Sequence, residues 1–378
     1  MLCLIRKGWQ LAFVFGFLSI LTMMPAACSS KKSEAKTKFK VAYLGLTCEA
    51  PIFIAKDYNM FAEEGLDVEL VKTDWDGLRE GLGTGQFDAN HTLIMYLLKP
   101  IESGMDLKIT GGIHTGCLRV QVAKNSDIKT VKDLKGKKIG VPTHLGSPPY
   151  LFASRVLVSQ GLDPRPEGGD VQWLPFPPDV LGKALQDGRI DALATSDPIG
   201  TILLGEGIVR TIVDQAIDAP YKDEYCCAVV VNGRLCRDNP ESAARLTRAL
   251  LKAAMWVEQN PTAAARHSVE HKYIASSAEM NAQAISKLRY IPGVDSCRLS
   301  VLNAAREMKM AGLLKPTTSA EAIADKAWMS LEGVNDEWIK NLIVPKVANG
   351  GKPPLLDGPA LAALFQKKAC CGCCCVSE

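Results

Sequence analysis

The sequence has little of what nucleic-acid-binding and membrane-spanning proteins need. Its 44 Lys and Arg residues nearly balance 41 Asp and Glu residues, so the net charge is +3, and no basic run with interleaved aromatic residues occurs. Aromatic residues make up only 6% of the chain. The apolar run over residues 11–24 is shorter than the roughly 20 residues of a membrane-spanning helix. These shortages give no case for nucleic-acid binding and leave an ordinary globular composition.

The first 27 residues are typical of a bacterial export signal. Arg6 and Lys7 precede the apolar run, which ends at "PAAC" before the polar stretch "SSKKSEAKTK". Small residues before a cysteine, followed by a polar tether, resemble the lipobox of bacterial lipoproteins, whose cysteine becomes the lipidated first residue. We therefore predict a signal peptide over 1–27, lipidation of Cys28 and a tether over 28–38. Plain signal cleavage and an uncleaved anchor stay open as alternatives.

From residue 39 onward, apolar runs of strand length alternate with helical patterns. "FKVAYLGL", "LDVELVK", "KKIGVP" and "IDALATS" are typical of buried strands, and "PIFIAKDYNMFAEEG" has helical spacing up to Gly65. The last third is helical, and Asn239 before Pro240 marks one helix start. This alternation predicts parallel sheets covered by helices, in a chain whose roughly 350 residues after the signal suffice for two lobes.

Four segments carry a resemblance to a known family. "APIFIAKDYNMFAEEGLDVELV", "DWDGLREGLGTGQFDANH", "VKDLKGKKIGVPTHLGS" and "LQDGRIDALATSDP" are similar to solute-binding proteins of ABC importers. That group takes nitrate, bicarbonate, alkanesulfonates, taurine or thiamine-pyrimidine precursors. The resemblance covers about residues 39–260. It implies an α/β fold like that of periplasmic binding proteins, with two lobes, each a mixed sheet flanked by helices, and a ligand cleft between them.

The resemblance also implies boundaries for the lobes. The first lobe would comprise residues 39–125 and, after the chain returns, 228–345, which includes the helical end. The second lobe would comprise 126–227. Residues 346–378 would form a Gly/Pro linker followed by a cysteine-rich tail.

The predicted cleft lies beyond the carboxyl ends of the strands, where open α/β sheets bind ligands. The ligand-binding residues expected there are Cys48, Glu49, Trp75, His91, Thr92, His114, Thr115, Cys117, His144, Ser147, Asp197 and Cys226. Thiolate and neutral imidazole suit soft and borderline metal ions. The candidate metal ligands are therefore Cys48, His91, His114, Cys117, His144 and one of Cys226 or Cys227. Each cysteine is alternatively a small buried hydrophobic residue, and no catalytic residue is predicted.

A simple anion is the ligand that the family resemblance implies. Such a site uses the free N–H groups of a helix N-terminus, but Pro148 and Pro149 after Ser147 remove two of these donors. Glu49 and Asp197 add negative charge. The cleft is therefore predicted to suit nitrate less well than the resemblance implies.

The chain carries thirteen cysteines, and five of them close it. These tail cysteines are Cys370, Cys371, Cys373, Cys374 and Cys375. No C-a-a-X ending is present, which speaks against lipidation at this end. Two interpretations stay open: the tail gathers a soft metal together with ligands from another segment or chain, or it forms scrambled disulfides without a function.

The function implied by the resemblance is that of a binding protein and not of an enzyme. It would be an extracytoplasmic lipoprotein, anchored to a bacterial membrane, that delivers a small solute to an ABC permease and its ATPase. The solute would be a nitrate-, sulfonate- or bicarbonate-like anion, a pyrimidine precursor, or a metal or metal chelate. A soft or borderline metal ion is the only cofactor that the residues suggest. The alternatives are a metal- or iron-dependent enzyme similar to pyrimidine synthases and a metal-sequestering lipoprotein without a transport role.

Overall fold

Two five-stranded sheets organise the residues that the computed structural model describes, which are 38–356 and 360–364. The predicted signal peptide, Cys28 and the tail cysteines lie outside these residues. In chain order the strands are β1 Lys38–Tyr43, β2 Asp67–Lys72, β3 Ala89–Leu93, β4 Leu107–Thr115, β5 Leu118–Ala123, β6 Lys138–Pro142, β7 Gln172–Phe176, β8 Ala192–Ser196, β9 Val209–Asp214 and β10 Tyr225–Asn232.

In each sheet one strand runs against the others. The first sheet has the order β2-β1-β3-β10-β4, in which β10 is antiparallel to both neighbours. The second has the order β7-β6-β8-β5-β9, in which β5 is antiparallel to both neighbours. The chain therefore enters the second sheet with β5 and returns to the first sheet with β10. This arrangement confirms the predicted fold class of two mixed α/β sheets flanked by helices.

Strand membership differs from the predicted lobe boundaries at two places. Strand β5 pairs in the second sheet, although residues 118–125 were predicted in the first lobe. Strand β10 pairs in the first sheet from Tyr225, although the return was predicted at residue 228. Both strands are apolar like their neighbours, so composition does not mark the change of sheet. The two crossings lie at residues 116–117 and 215–224, and the division into lobes stays a proposal.

Helices cover both sheets and form the later part of the chain. They are α1 Ala50–Asp57, α2 Met60–Glu63, α3 Trp75–Thr84, α4 Ile94–Glu102, α5 Pro148–Ser159, α6 Leu181–Gln186, α7 Ile199–Gly205, α8 Gly233–Asp238, α9 Pro240–Gln259, α10 Pro261–Glu270, α11 Ala278–Ile285, α12 Asp295–Met310, α13 Ala320–Ala327 and α14 Asp336–Lys340. The predicted cap of α9 is confirmed, because the Asn239 side chain accepts a hydrogen bond from the Ser242 N–H. Within the described ranges, no helix is both long and apolar enough to cross a membrane.

The helical pattern predicted over "PIFIAKDYNMFAEEG" is divided into α1 and α2. Asn59 between them adopts φ 62°, in the left-handed region, which interrupts the helix. Asparagine tolerates this region better than most residues. Helical spacing on both sides hid the break from the sequence pattern.

A buried ion pair joins the two halves of the fold, by which we mean the first sheet and the second sheet, each with the helices that pack on it. Arg155 on α5, which covers the second sheet, contacts Glu307 on α12 of the first half, with Nη2 2.9 Å from Oε1. The same guanidinium contacts Glu224, at the end of the second crossing. Arg155 is 5% exposed. Its charge is thus balanced by two carboxylates that only the folded arrangement of both halves brings together.

Candidate functional site

Four buried side chains meet at the carboxyl end of the first sheet. They are Cys48, His114, Cys117 and Cys227, and one ligand atom from each lies within 4.8 Å of the other three. None of the four is more than 4% exposed. We call this set the thiol–imidazole cluster. Three thiols and one imidazole so close together could hold a metal ion, and the thiols could also be oxidised.

Local backbone structure brings the cluster together from three separate segments. Cys48 lies in a short 3-10 turn after β1, His114 near the end of β4, and Cys227 near the start of β10. In the sheet, Cys227 pairs with His114 on one side and Leu93 on the other. Pairing of β10 between β3 and β4 therefore places a thiol beside the end of each strand.

Gly116 allows the first crossing to approach the second. Its φ is +68°, and a Cβ atom there would lie 2.4 Å from the Ala216 Cα. Only glycine has neither the steric penalty at positive φ nor the side chain that would clash. The next residue is Cys117, whose N–H donates to the Gln215 Oε1 at 3.3 Å. The close contact of the two crossings thus fixes the position of one cluster thiol.

Other predicted site residues surround the cluster. The Cys226 Sγ lies 3.0 Å from the Cys117 Sγ, and the His91 and His114 ring centroids are 5.1 Å apart. Among the described residues, neither ring nitrogen of His91 and neither hydroxyl of Thr92 and Thr115 has a hydrogen-bond partner, although all are buried. The structure therefore gathers soft and polar groups here without satisfying their hydrogen-bonding capacity.

The His114 ring is held on one side and has no partner on the other. Its Nδ1 lies 3.4 Å from the Thr115 carbonyl oxygen, whereas Nε2 is buried and has no partner within the described part of the chain. The Tyr290 ring packs at 5.1 Å from the imidazole, and its hydroxyl donates to the Cys48 carbonyl at 3.3 Å. Sequence reasoning missed Tyr290, because this residue belongs to the helical end of the chain and is far in sequence from any predicted strand.

Burial disfavours the charged forms of two groups at the site. It raises the pKa of the Cys117 thiol to about 11. It also lowers the pKa of His91 well below its usual range, and the nearby His114 adds to this effect. Cys226 differs: burial would raise the pKa of its thiol, but hydrogen bonds from Cys117 and Cys227 outweigh this effect and lower the pKa. The Cys117 thiol and the His91 imidazole are therefore neutral near pH 7, whereas the Cys226 thiol ionises more readily than an ordinary cysteine.

Glu49 has a structural partner at each carboxylate oxygen. Its Oε atoms accept hydrogen bonds from the N–H groups of Leu44, Gly45 and Leu46 at 2.8–3.0 Å. The side chain is 1% exposed, and burial raises its pKa to about 8. The carboxyl group therefore shapes the loop after β1 and positions Cys48. A direct role in binding, as predicted from the sequence, stays a proposal.

Asp197 is paired with a buried arginine. Arg119 Nη1 and Nη2 donate to its two carboxylate oxygens at 2.7 and 2.9 Å, and Arg119 Nε donates to Asp214 at 2.9 Å. Arg119 is 1% exposed. Sequence reasoning missed this residue, although one arginine inside the apolar strand "LRVQVA" is a signal of a buried ion pair. The charge that Asp197 was predicted to bring to the cleft is thus balanced.

His144 lies apart from the thiol–imidazole cluster. It follows β6 of the second sheet and lines an outer groove of about 430 Å³ together with Arg79, Tyr96 and Met308. Its Nδ1 lies 3.1 Å from the Leu145 carbonyl oxygen. The structure therefore does not bring His144 to the other candidate metal ligands, because they belong to the first sheet or to the crossings.

A smaller inner cavity of about 70 Å³ is lined from both halves of the fold. Leu46 and Trp75 line it from the first half, and Thr195, Ser196 and Asp197 line it from the second, together with Pro142, Pro149 and Pro198. Ser147, at the start of α5, has a buried hydroxyl without a partner in the described residues. This cavity joins residues from the ends of both sheets, as a ligand cleft between two lobes would.

An aromatic pair links the lining of this inner cavity to that of the outer groove. Trp75 lines the cavity and Tyr96 lines the groove, and their rings meet edge to face with centroids 4.9 Å apart. The Tyr96 hydroxyl donates to the Trp75 carbonyl oxygen at 2.7 Å. These two contacts fix the position of Trp75, the aromatic residue of the cavity lining.

Sequence comparison identifies relatives that are binding proteins by name. A nitrate/nitrite binding protein, NrtA, of Nostoc is 26% identical over 261 residues, which cover 63% of this chain and 53% of the relative. NrtA of Synechococcus elongatus is 22% identical over 290 residues, or 69% of this chain and 64% of the relative. This chain thus spans less than two thirds of the length of either protein.

Solved structures share the fold. The alkanesulfonate-binding protein SsuA of Xanthomonas axonopodis, bound to MOPS, has a TM-score of 0.64 and 18% identity, over 77% of this chain and 98% of that protein. A zinc-bound ligand-binding component of an ABC-type import system from Staphylococcus aureus has a TM-score of 0.63 and 19% identity, over 81% and 99%. At these identities the likeness shows the fold alone.

The family itself follows from a match that covers most of the chain. The model of the NMT1-like family matches residues 32–271. These residues include both sheets, both crossings, the thiol–imidazole cluster and the inner cavity. The chain belongs to the NMT1-like family.

Proposed function

We propose that this chain is the solute-binding component of an ABC importer and that it captures a small solute between its two lobes. The observation that carries the proposal is the inner cavity, because residues from the ends of both sheets line it. The named relatives bind nitrate or nitrite, and the structural neighbours include an alkanesulfonate-binding protein. Closure of two lobes around a ligand is a common way to signal that a site is occupied.

The lining of the cavity favours an organic solute over a bare inorganic anion. No Lys or Arg is among the lining residues within the described part of the chain. The nearby Arg119 is already paired with Asp197 and Asp214. Trp75 and the prolines offer apolar contact, and the Ser196 hydroxyl offers a hydrogen bond, whereas the Thr195 hydroxyl already donates to Gln121 Oε1 at 2.7 Å. An uncharged organic solute such as a pyrimidine precursor therefore fits this lining better than nitrate does.

The proposal is tested by melting and scattering experiments with a panel of solutes. The panel contains nitrate, bicarbonate, taurine, an alkanesulfonate and a thiamine-pyrimidine precursor. A solute at 100 times its Kd should stabilise the folded protein by about 2.7 kcal/mol and raise its Tm. The same solute should make the protein more compact in small-angle scattering. Unchanged scattering at saturation would contradict capture by lobe closure.

A pair of tryptophan variants locates the binding site. Trp75→Ala removes the aromatic wall of the inner cavity and should abolish the rise in Tm. Trp338→Ala on α14 is the matched control, because this residue is not part of the cavity lining, and it should preserve the response. An equal loss in both variants would point to general destabilisation and against the cavity as the site.

We also propose that the protein acts outside the cytoplasm, held to a bacterial membrane by a lipid on Cys28, beside a permease and its ATPase. The support is the lipobox-like sequence, which lies outside the described residues. Cys28→Ala should abolish labelling with a radioactive fatty acid and release the protein from membranes. Membrane retention of wild type without any label would favour an uncleaved anchor instead.

A further inference from the structure

We propose that the thiol–imidazole cluster is a metal site that binds one ion, zinc(II) or copper(I), in four-coordinate geometry. This inference goes beyond solute transport and does not rest on it. The ion would be a resident of the first half of the fold and not the transported solute, because the four ligands are buried and leave no open coordination position.

The spacing of the ligand atoms suits a single ion. All four lie within 4.8 Å of one another. Zinc–sulfur bonds of about 2.3 Å place the sulfurs of a tetrahedral site about 3.8 Å apart. Shifts of about 1 Å or less, within the reach of side-chain rotation, would therefore close the cluster around an ion. Three cysteines and one histidine are also a recognised ligand set of structural zinc sites.

A second, independent observation is the orientation of the His114 ring. Nδ1 lies near the Thr115 carbonyl oxygen, an arrangement in which it donates its proton. Nε2 then carries the free lone pair, and this atom is buried without a partner among the described residues. A metal-bound histidine commonly has this geometry, with one nitrogen on the ion and the other donating to a carbonyl. A nitrogen of this imidazole lies within 4.8 Å of the three sulfurs, and the ring keeps a lone pair that no described residue uses.

The charges of an occupied site favour zinc(II) over copper(I). Binding would release one proton from each of the three thiols to solvent, and each sulfur would form a bond to the metal. Three thiolates and a neutral imidazole would leave a net charge of −1 with zinc(II) and −2 with copper(I). Because buried charge that is not balanced is costly, zinc(II) suits the four ligands better.

The position of the cluster gives the ion a mechanical role. Cys117 lies in the first crossing, Cys227 is the third residue of β10, which follows the second crossing, and Cys48 belongs to the turn after β1. One ion bound to all three would link both crossings to the first sheet. Metal binding should therefore make the two crossings more rigid, and these are the segments about which the two proposed lobes would move.

The nearby Cys226 provides the chemical rival to a metal site. Its Sγ lies 3.0 Å from the Cys117 Sγ. Oxidation of this pair would form a disulfide and remove the Cys117 thiolate from the ligand set. Thiol mapping of freshly isolated protein, blocked by alkylation at once, tests this rival. A Cys117–Cys226 disulfide in most molecules would overturn the proposal.

The direct test is anaerobic titration of the reduced, metal-free protein with zinc(II), copper(I) and cobalt(II), each alone. The five tail cysteines are replaced by serine in a parallel background, because they are a second set of thiols. We expect one ion per chain in both backgrounds beyond any bound by the tail. Cobalt(II) should give the intense near-ultraviolet absorption of thiolate ligands. X-ray absorption of the zinc form should show three sulfurs at about 2.3 Å and one nitrogen at about 2.0 Å.

Variants identify the ligands. In the tail-substituted background, Cys48→Ser and His114→Ala should each weaken metal binding at least about 100-fold, since even outer-shell changes cost 10–100-fold. Cys236→Ser is the matched control, because Cys236 is buried in α8 and is not part of the cluster, and it should bind as the parent does. If Cys48→Ser does not fold, the ligand count from X-ray absorption of the parent protein decides.

Besides a Cys117–Cys226 disulfide in most molecules, two results would overturn the proposal. One is the absence of metal binding at micromolar concentrations once the tail cysteines are replaced. The other is a bound ion whose ligand count lacks nitrogen or whose affinity is unchanged in His114→Ala. Neither result affects the proposed solute capture, which is tested in metal-free protein with the solute panel.

Discussion

At the carboxyl end of the first sheet, buried thiols and imidazoles contact one another, whereas at that of the second sheet a buried guanidinium lies between two carboxylates. The two sheets have the same strand pattern, and each contains one antiparallel strand, which directly follows a crossing. In the second sheet, all the polar side-chain nitrogens and oxygens of Arg119 and Asp197 have partners. In the first, both ring nitrogens of His91 and the Nε2 of His114 have none among the described residues.

This difference distinguishes buried polar groups that stabilise the fold from buried polar groups that can still bind a ligand. In a buried ion pair with complete hydrogen bonding, every polar atom already has a partner, so its charges are not available to a ligand. Buried polar atoms without partners cost free energy and are therefore expected where a ligand supplies the missing contacts. The comparison predicts that the loss of a charge at the second sheet end strongly lowers the free energy of unfolding. At the first sheet end, the free energy of unfolding should depend mainly on whether a ligand is bound.

The largest expected effect is the loss of Arg119. Arg119→Met leaves Asp197 and Asp214 buried without a cation and should lower the free energy of unfolding by about 3–5 kcal/mol. Urea denaturation measures this change. Arg306→Met is the matched control, because its pair with Glu321 is exposed and should contribute little to stability. Equal effects of the two substitutions would show that the buried network is not a special element of the second sheet.

The pair between the two halves should give the next largest effect. Arg155→Ala leaves Glu307 and Glu224 partly buried without their cation and should lower the free energy of unfolding by about 2 kcal/mol or more. It should also increase the radius of gyration of ligand-free protein, because the contact between α5 and α12 is lost. An unchanged radius of gyration would show that this pair does not hold the lobes together.

A smaller effect is expected on the dependence of stability on pH. Burial alone would raise the pKa of Asp197, but the Arg119 guanidinium beside it holds that pKa below its usual value. The carboxylate therefore contributes stability above the unfolded pKa of about 3.9, and this contribution is lost as pH falls through the lower folded pKa. Asp197→Asn should be less stable than wild type at pH 7, with the difference narrowing below pH 4. A difference that is constant from pH 7 to pH 3 would contradict the argument.

The sequence was sufficient for the architecture, because strand and helix patterns depend on local residue order. It could also place Cys48, His114 and Cys117 at strand ends, where open α/β sheets form their sites. It could not predict that His144 lies apart, because the separation of two sheet ends is a matter of tertiary structure. Arg119 was missed for a related reason, since its contact with Asp214 depends on the register of β5 against β9.

The smallest effect, and one of opposite sign, is expected at the first sheet end. His91 is 1% exposed, and both its ring nitrogens lack partners among the described residues. Removing polar atoms that make no hydrogen bond removes their desolvation cost, so His91→Leu should be neutral or stabilising by up to about 1 kcal/mol in metal-free protein. His267→Leu is the matched control, because His267 Nε2 lies 2.7 Å from Asp57, and its loss should destabilise by about 1 kcal/mol. Urea denaturation of both variants measures the contrast. A loss of more than about 1 kcal/mol for His91→Leu would show that this imidazole has a structural partner, and the two sheet ends would then not differ in the way proposed.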